Sequence, residues 1–250
     1  MSAGARRTLL AAVTLTALAA QASVTSAAVP ATSVDQGNAQ LSNERTTTTW
    51  AYALSPMSIY AGPSTRARRV GRVRLETEQG FPEVYELLES HVDAAGRKWV
   101  KLRVPGLPNG REGWVLSEAL GSFEQTHWLI VVNLRARRLR AYFKGRLRFH
   151  APVGVGKPST PTPPGHFWIR ERVSFPRTSP YWPFALGTSD YSSTLTGWAG
   201  GDVVAIHGDF GEPRQIPGDP SHGCVRMRDG DIAWLARHVT VGTPVEIVRG

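Results

Sequence analysis

The chain has 250 residues, 41% of them hydrophobic, with eight Trp, 25 Gly and 18 Pro, a composition that excludes a disordered chain and favours globular, strand-rich domains. Its formal charge of +9 suits long-range attraction to an anionic polymer, or serves solubility alone. A single cysteine, Cys224, excludes an internal disulfide.

The N-terminus reads as a targeting segment. Arg6-Arg7 precede an apolar run from Thr8 to Ala20, and small residues follow up to Ala28. These are the charged, apolar and small-residue regions of a secretory signal peptide over 1–28, with cleavage after Ala22 or Ala28. The run is too short for a transmembrane helix and no other stretch is long enough, so the exported protein is expected to keep no membrane span. Export points to the periplasm or cell wall, argues against nucleic acid as the partner of the positive charge, and favours the anionic polymers of a bacterial envelope. A lone thiol in such an oxidising compartment is either buried or put to use.

Residues 29–47 are rich in Ser, Thr, Gln, Asn and Ala without an apolar period, and predict a flexible linker. Short alternating segments follow at Met57–Tyr60, Val70–Val73, Pro82–Leu88, Lys98–Arg103 and Gly110–Val115. With the turns between them they predict a small β-barrel over 48–121. The order of the Gly62-Pro63-Ser64 turn, the Trp99-Val100-Lys101-Leu102 strand and the closing Gly113-Trp114-Val115 resembles the bacterial Src-homology-3-like module found beside many cell-wall enzymes. The resemblance implies a module that binds wall or partner, or a spacer.

From about residue 126 to 249 the pattern changes. Trp128–Val132 is a continuous apolar run suited to a buried strand, and Arg138–Phe149 reads as a hairpin around Lys144-Gly145. Its arginines are expected to form a solvated sheet face, with contact to anionic wall polymers as the other reading. Pro158 to Gly165 is a loop, since no helix tolerates its prolines. Val203–Ile206 is a second buried strand that delivers His207-Gly208 at its end. Asp229 can N-cap a helix with Ile232, Leu235, Ala236 and Val239 on its apolar face, stopped by Gly242, before a last strand over Pro244–Val248.

The chemistry sits in two pieces, His207-Gly208 and Ser221-His222-Gly223-Cys224-Val225-Arg226. Glycine before the cysteine permits a tight turn that brings amide groups close to a reacting carbonyl. One imidazole can take the thiol proton and later return it to a leaving amine, while the Gly223 and Cys224 amides could form an oxyanion hole. Spacing alone leaves two other readings open: packed core residues, or a zinc site of His207, His222 and Cys224 completed by Asp209 or Asp219.

The string Ser221-His222-Gly223-Cys224-Val225-Arg226-Met227, preceded by Ala205-Ile206-His207-Gly208, resembles the signature of the L,D-transpeptidase (YkuD-like) catalytic domain. Gly156-Lys157-Pro158, Thr160–Gly165 and Val241–Val245 support the likeness. It implies a mainly β, sandwich-like catalytic domain with one or two short helices, preceded by the small barrel. It also implies an acyltransferase acting on peptidoglycan stem peptides, with Cys224 attacking the carbonyl between the L-centre of a diamino acid and a terminal D-residue. The resulting thioester passes to an amine of a neighbouring stem, giving a 3–3 cross-link. His207 matches the general base, and the Gly208 carbonyl orients it. His222 and Gly223 would shape the oxyanion region, and Ser221 would hold the turn. Ser221, Arg226, Tyr181 and Trp182 make up the candidate substrate contacts, with Phe184 beside them. No metal and no organic cofactor is implied. An L,D-carboxypeptidase of the same fold and a non-catalytic wall-binding protein are the alternatives.

Overall fold

The computed structural model describes residues 38–195 and 202–250, so the signal segment lies outside the described residues. The described residues form two sheets. The first holds β1 (Ala39–Gln40), β2 (Thr48–Tyr52), β3 (Ser58–Tyr60), β4 (Arg69–Arg72), β5 (Val84–Val92), β6 (Lys98–Val104), β7 (Arg111–Leu116) and β8 (Glu124–Thr126). Its ladder is an open path, β4-β3-β7-β6-β5-β2-β8, with β1 on β5. The alternation read from the sequence appears as alternating burial: in β6, Trp99, Val100, Leu102 and Val104 are buried and Lys98 is exposed.

Two boundaries differ from the sequence reading. The polar stretch expected to be a flexible linker is ordered where it is described, because β1 pairs with β5 and the Asn43 carboxamide accepts from the amides of Arg45, Thr46 and Thr47. The first sheet also runs on to Thr126, since β8 pairs with β2.

The second sheet holds β9 (Trp128–Asn133), β10 (Arg138–Phe143), β11 (Arg146–Pro152), β12 (Gly154–Gly156), β13 (Gly165–Ser174), β14 (Phe184–Tyr191), β15 (Val203–His207), β16 (Gly218–Ser221), β17 (Val225–Arg226) and β18 (Pro244–Val248). Its order is β11-β10-β9-β18-β13-β14-β15-β17-β12-β16. The Lys144-Gly145 turn joins β10 to β11 with both residues at positive φ, 50° and 73°, as a tight hairpin requires. Arg146 and Arg148 are exposed on β11, the edge strand, where charge discourages pairing with another chain.

One α-helix, α1 (Asp229–His238), covers this sheet. Its fully buried Ile232 and Leu235 join Ile130, Leu139, Ile169, Leu186, Ile206 and Val225 in one core, each such side chain contributing about 1.5–3 kcal/mol by burial. Asp229 is the first residue of α1 and not its cap; Arg228 takes that position, and Asp229 Oδ1 accepts instead from the Asp209 amide at 3.3 Å.

The sheets pack on each other through Trp50, Val84 and Trp168, and the Trp168 indole N–H donates to the Val84 carbonyl at 2.7 Å. Beside them Arg170, 2% exposed, donates from Nε to Glu83 Oε1 at 2.7 Å, from a terminal nitrogen to Glu83 Oε2, and to Glu78 and the Tyr191 hydroxyl at 3.1 and 3.0 Å. Burial works against the Glu78 charge, yet the Tyr191 hydrogen bond and the Arg170 charge hold its carboxyl down at about 2.

Candidate active site

The register of the second sheet assembles the site. β15 and β17 run parallel with His207 opposite Arg226, so Cys224, just before β17, comes beside Ala205. The Ala205 amide donates to Cys224 Sγ at 3.5 Å.

The turn before β17 is tied by its own polar groups. Ser221, 1% exposed, donates its hydroxyl to the Cys224 carbonyl at 2.6 Å and accepts the Gly223 amide at 3.1 Å. Gly223 has φ +131°, a conformation that side-chain-bearing residues avoid. Its carbonyl accepts from Thr162 Oγ at 2.7 Å, and Thr162 in turn accepts the Gly156 amide at 2.9 Å. Thus the proline-rich loop clamps the cysteine turn from outside. The Gly223 amide is spent on Ser221, so it is not a standing oxyanion donor, and the Ser221 hydroxyl is spent within the turn it was expected to hold.

His207 is 2% exposed. Its Nδ1 lies 2.7 Å from the Gly208 carbonyl. A carbonyl only accepts, so Nδ1 carries the proton and Nε2 keeps a free lone pair. Burial, reinforced by the Arg226 charge and opposed by the Gly208 bond, lowers the imidazole to about 4, so it is neutral at pH 7. Gly208 has no space for a side chain: a Cβ there would sit 1.9 Å from the Trp182 carbonyl. The rings of Tyr181 and Phe210 stand edge-on to the imidazole at 5.2 and 4.9 Å, and the Arg226 guanidinium lies 4.4 Å over Phe210. Phe210 has φ +62°, a strained conformation for an aromatic residue.

The burial of His207 has a measurable consequence. The unfolded imidazole titrates near 6.5 and the folded one near 4, so between these values the unfolded state binds more protons. This contribution to stability is whole above pH 6.5 and falls away as pH drops toward 4, by about 3 kcal/mol in all. Thermal unfolding from pH 7 to pH 4 is therefore expected to fall less steeply for His207→Gln than for the parent protein. Parallel slopes would contradict it.

Cys224 is partly exposed. Burial of the sulfur raises its pKa, against the Ala205 amide and the Arg226 charge, which lower it. The resting group is therefore the thiol. The Arg226 charge acts in opposite senses on the two groups, favouring a thiolate at Cys224 and disfavouring an imidazolium at His207.

Tyr181, His207, Phe210, Cys224 and Arg226 line a cavity of about 60 Å³, with Ser221, His222 and Gly223 also on its wall. A second cavity, of about 460 Å³, also reaches Cys224 and Tyr181. His222 is exposed at the rim, its Nε2 accepting from Lys157 Nζ at 2.8 Å. Trp182 lines neither cavity; its ring carries the Arg177 guanidinium at 4.9 Å in a separate concavity, and its carbonyl packs on Gly208. Phe184 packs against the core. Among the described residues no three His, Cys, Asp or Glu side chains form a group able to hold a metal ion. Thr162, Lys157 and Phe210 are site residues that the sequence reading left without a role. The Thr-Pro string was visible, but only the fold brings Thr162 against Gly223.

Residues 127–247 match the family model of the L,D-transpeptidase catalytic domain, YkuD. The chain is similar to L,D-transpeptidase 1 of Mycobacterium tuberculosis, 29% identical over 250 residues and 95% of each chain. It is 36% identical over 118 residues to the YkuD protein of Bacillus licheniformis, 47% of this chain and 64% of that one. Among solved structures, the catalytic domain of an L,D-transpeptidase from E. faecium matches 48% of this chain and 95% of its own, at 25% identity and a TM-score of 0.36. The matched segment is the sheet that carries His207 and Cys224, and over residues 127–247 the chain is similar to the L,D-transpeptidase catalytic domain family.

Proposed function

We propose that the protein is exported to the periplasm or cell wall and joins peptidoglycan stem peptides by L,D-transpeptidation, with Cys224 as nucleophile and His207 as base. One observation carries this reading: a buried, neutral imidazole with its Nδ1 proton committed to Gly208 and its Nε2 lone pair free, on the wall of the cavity that holds the thiol. The basic charge and the Arg6–Ala28 pattern support a site of action among anionic wall polymers.

In the first half-reaction Nε2 takes the thiol proton as sulfur adds to the carbonyl between the diamino acid's L-centre and the terminal D-residue. The C–N bond then breaks, and His207 returns the proton to the departing amine. In the second, an amine from another stem adds to the thioester, its proton passes to Nε2, the C–S bond breaks, and the thiolate takes the proton back. The product is a 3–3 cross-link.

With the Gly223 amide engaged, the Cys224 amide is the candidate oxyanion donor in the turn. Arg226 Nε is buried with no partner and its residue lines the cavity, which suits it to the carboxylate of the departing D-residue. The test is product analysis after incubation with a disaccharide tetrapeptide containing diaminopimelate. Cross-linked dimer with release of the D-residue is expected. Tripeptide without dimer would replace the reading with an L,D-carboxypeptidase. No turnover would favour a wall-binding protein.

A further inference from the structure

The second cavity beside Cys224 is built by both sheets. Its walls include Phe81 and Gln79 from the loop before β5, and Val173, Phe175 and Val203 from the second sheet, with Glu171 among them. The loop is shaped by Thr77, whose hydroxyl accepts the amides of Gln79 and Phe81 at 3.3 and 3.2 Å and donates to Glu171 Oε2 at 2.7 Å. Glu171 is 7% exposed and lies across Gly187, where a Cβ would stand 2.5 Å from Glu171 Oε1. A residue without a side chain at 187 therefore makes room for this carboxylate at the cavity.

The two cavities that reach the sulfur differ in their charged groups. The smaller carries the Arg226 guanidinium together with Asp202, and the larger carries Glu171 as its one charged side chain among mostly apolar walls. An acyl transfer from one stem to another needs two occupants at Cys224, a donor whose departing part bears a carboxylate and an acceptor that bears an amine. Apolar walls around a single buried carboxylate fit an ammonium at the end of an aliphatic stem.

Resting on the transpeptidase reading, we propose that the cavity bounded by Glu171, Gln79 and Phe81 binds the acyl acceptor, an aliphatic primary amine that docks as its ammonium on Glu171. The first sheet is then part of the substrate site through its 77–81 loop, in addition to any contact with the wall. Glu171 is a binding residue. The ammonium loses one proton to water before attack, the nitrogen adds to the thioester carbon, its next proton passes to His207 Nε2, and the departing sulfur receives that proton as the C–S bond breaks.

The experiment holds the donor tetrapeptide fixed and varies a tripeptide stem, which has a side-chain amine but no D-residue to lose. For Glu171→Gln the half-saturating tripeptide concentration is expected to rise about tenfold or more, while half-saturation by donor stays within about twofold and hydrolysed donor accumulates in place of dimer. Phe81→Ala, at a position already 37% exposed and so tolerant of change, is expected to raise the same acceptor constant. It carries the test if the first variant does not fold. Acceptor constants unchanged in both variants would overturn the proposal while leaving the transpeptidase intact. A parent protein that releases the D-residue but makes no dimer would instead overturn the transpeptidase reading, and the acceptor site with it.

Discussion

Replacing Cys224 with alanine is expected to abolish cross-link formation, by about 10⁴-fold or more, without unfolding the protein. The contacts that hold the turn belong to other atoms: Ser221 Oγ binds the Cys224 carbonyl and the Gly223 amide, and Thr162 binds the Gly223 carbonyl. The sulfur itself accepts only a long bond from the Ala205 amide, at 3.5 Å. Alanine keeps the backbone and the neighbouring Val225 in the core, so the expected cost in stability is about 1 kcal/mol. Chromatography of the products and a thermal melt of the same sample check both halves. Dimer at an undiminished rate would remove Cys224 from the mechanism.

Arg170→Ala carries the largest expected loss of stability, about 3–5 kcal/mol. Arg170 lies on β13, and its partner Glu83, wholly buried, belongs to the first sheet. Truncating the arginine leaves the buried Glu83 carboxylate with only the longer 3.4 Å pair to the partly exposed Arg74, and also removes donors to Glu78 and the Tyr191 hydroxyl. A buried charge without its counterion costs far more than the pair contributes. Neutralising both sides in Arg170→Met with Glu83→Gln is therefore expected to recover much of the loss. Urea unfolding of the two variants measures this. A single-variant loss below about 1 kcal/mol, the range of an exposed pair, would contradict the account of the buried network.

What the sequence disclosed follows from where side chains meet water. β6, β9, β15 and β18 carry the alternating or continuous apolar runs that burial demands, and each was legible. β14 was not. Its Thr188, Ser189 and Asp190 are polar yet buried, because the Thr188 hydroxyl donates to the Val204 carbonyl and Asn109 of the first sheet donates to Asp190 and to the Tyr191 carbonyl. Hydrophobicity cannot report a strand whose buried polar groups find partners mostly on other elements, with Asp190 Oδ2 left unpaired among the described residues. β1 and β8 are edge pairings two and three residues long, too short to show a period.

The site divides in the same way. His207 and the Ser-His-Gly-Cys string, far apart in sequence, line one cavity, and His207 Nδ1 stands 2.7 Å from the Gly208 carbonyl. The Gly223 amide, expected to face a reacting carbonyl, donates instead to Ser221, two residues earlier. Such a contact depends on the turn's geometry, which spacing does not specify. Phe210 and Thr162 joined the site only through folding, and Trp182, close in sequence to Tyr181, faces another surface.

The most direct test is the intact mass of the protein after brief exposure to the tetrapeptide with no acceptor added, followed by acid quenching and mapping of the modified peptide. A gain equal to the acyl part of the stem, on the segment containing Cys224 and absent from Cys224→Ala, is the expected result. Release of the D-residue with no adduct at any quench time, or an adduct on another residue, would contradict a thioester at Cys224.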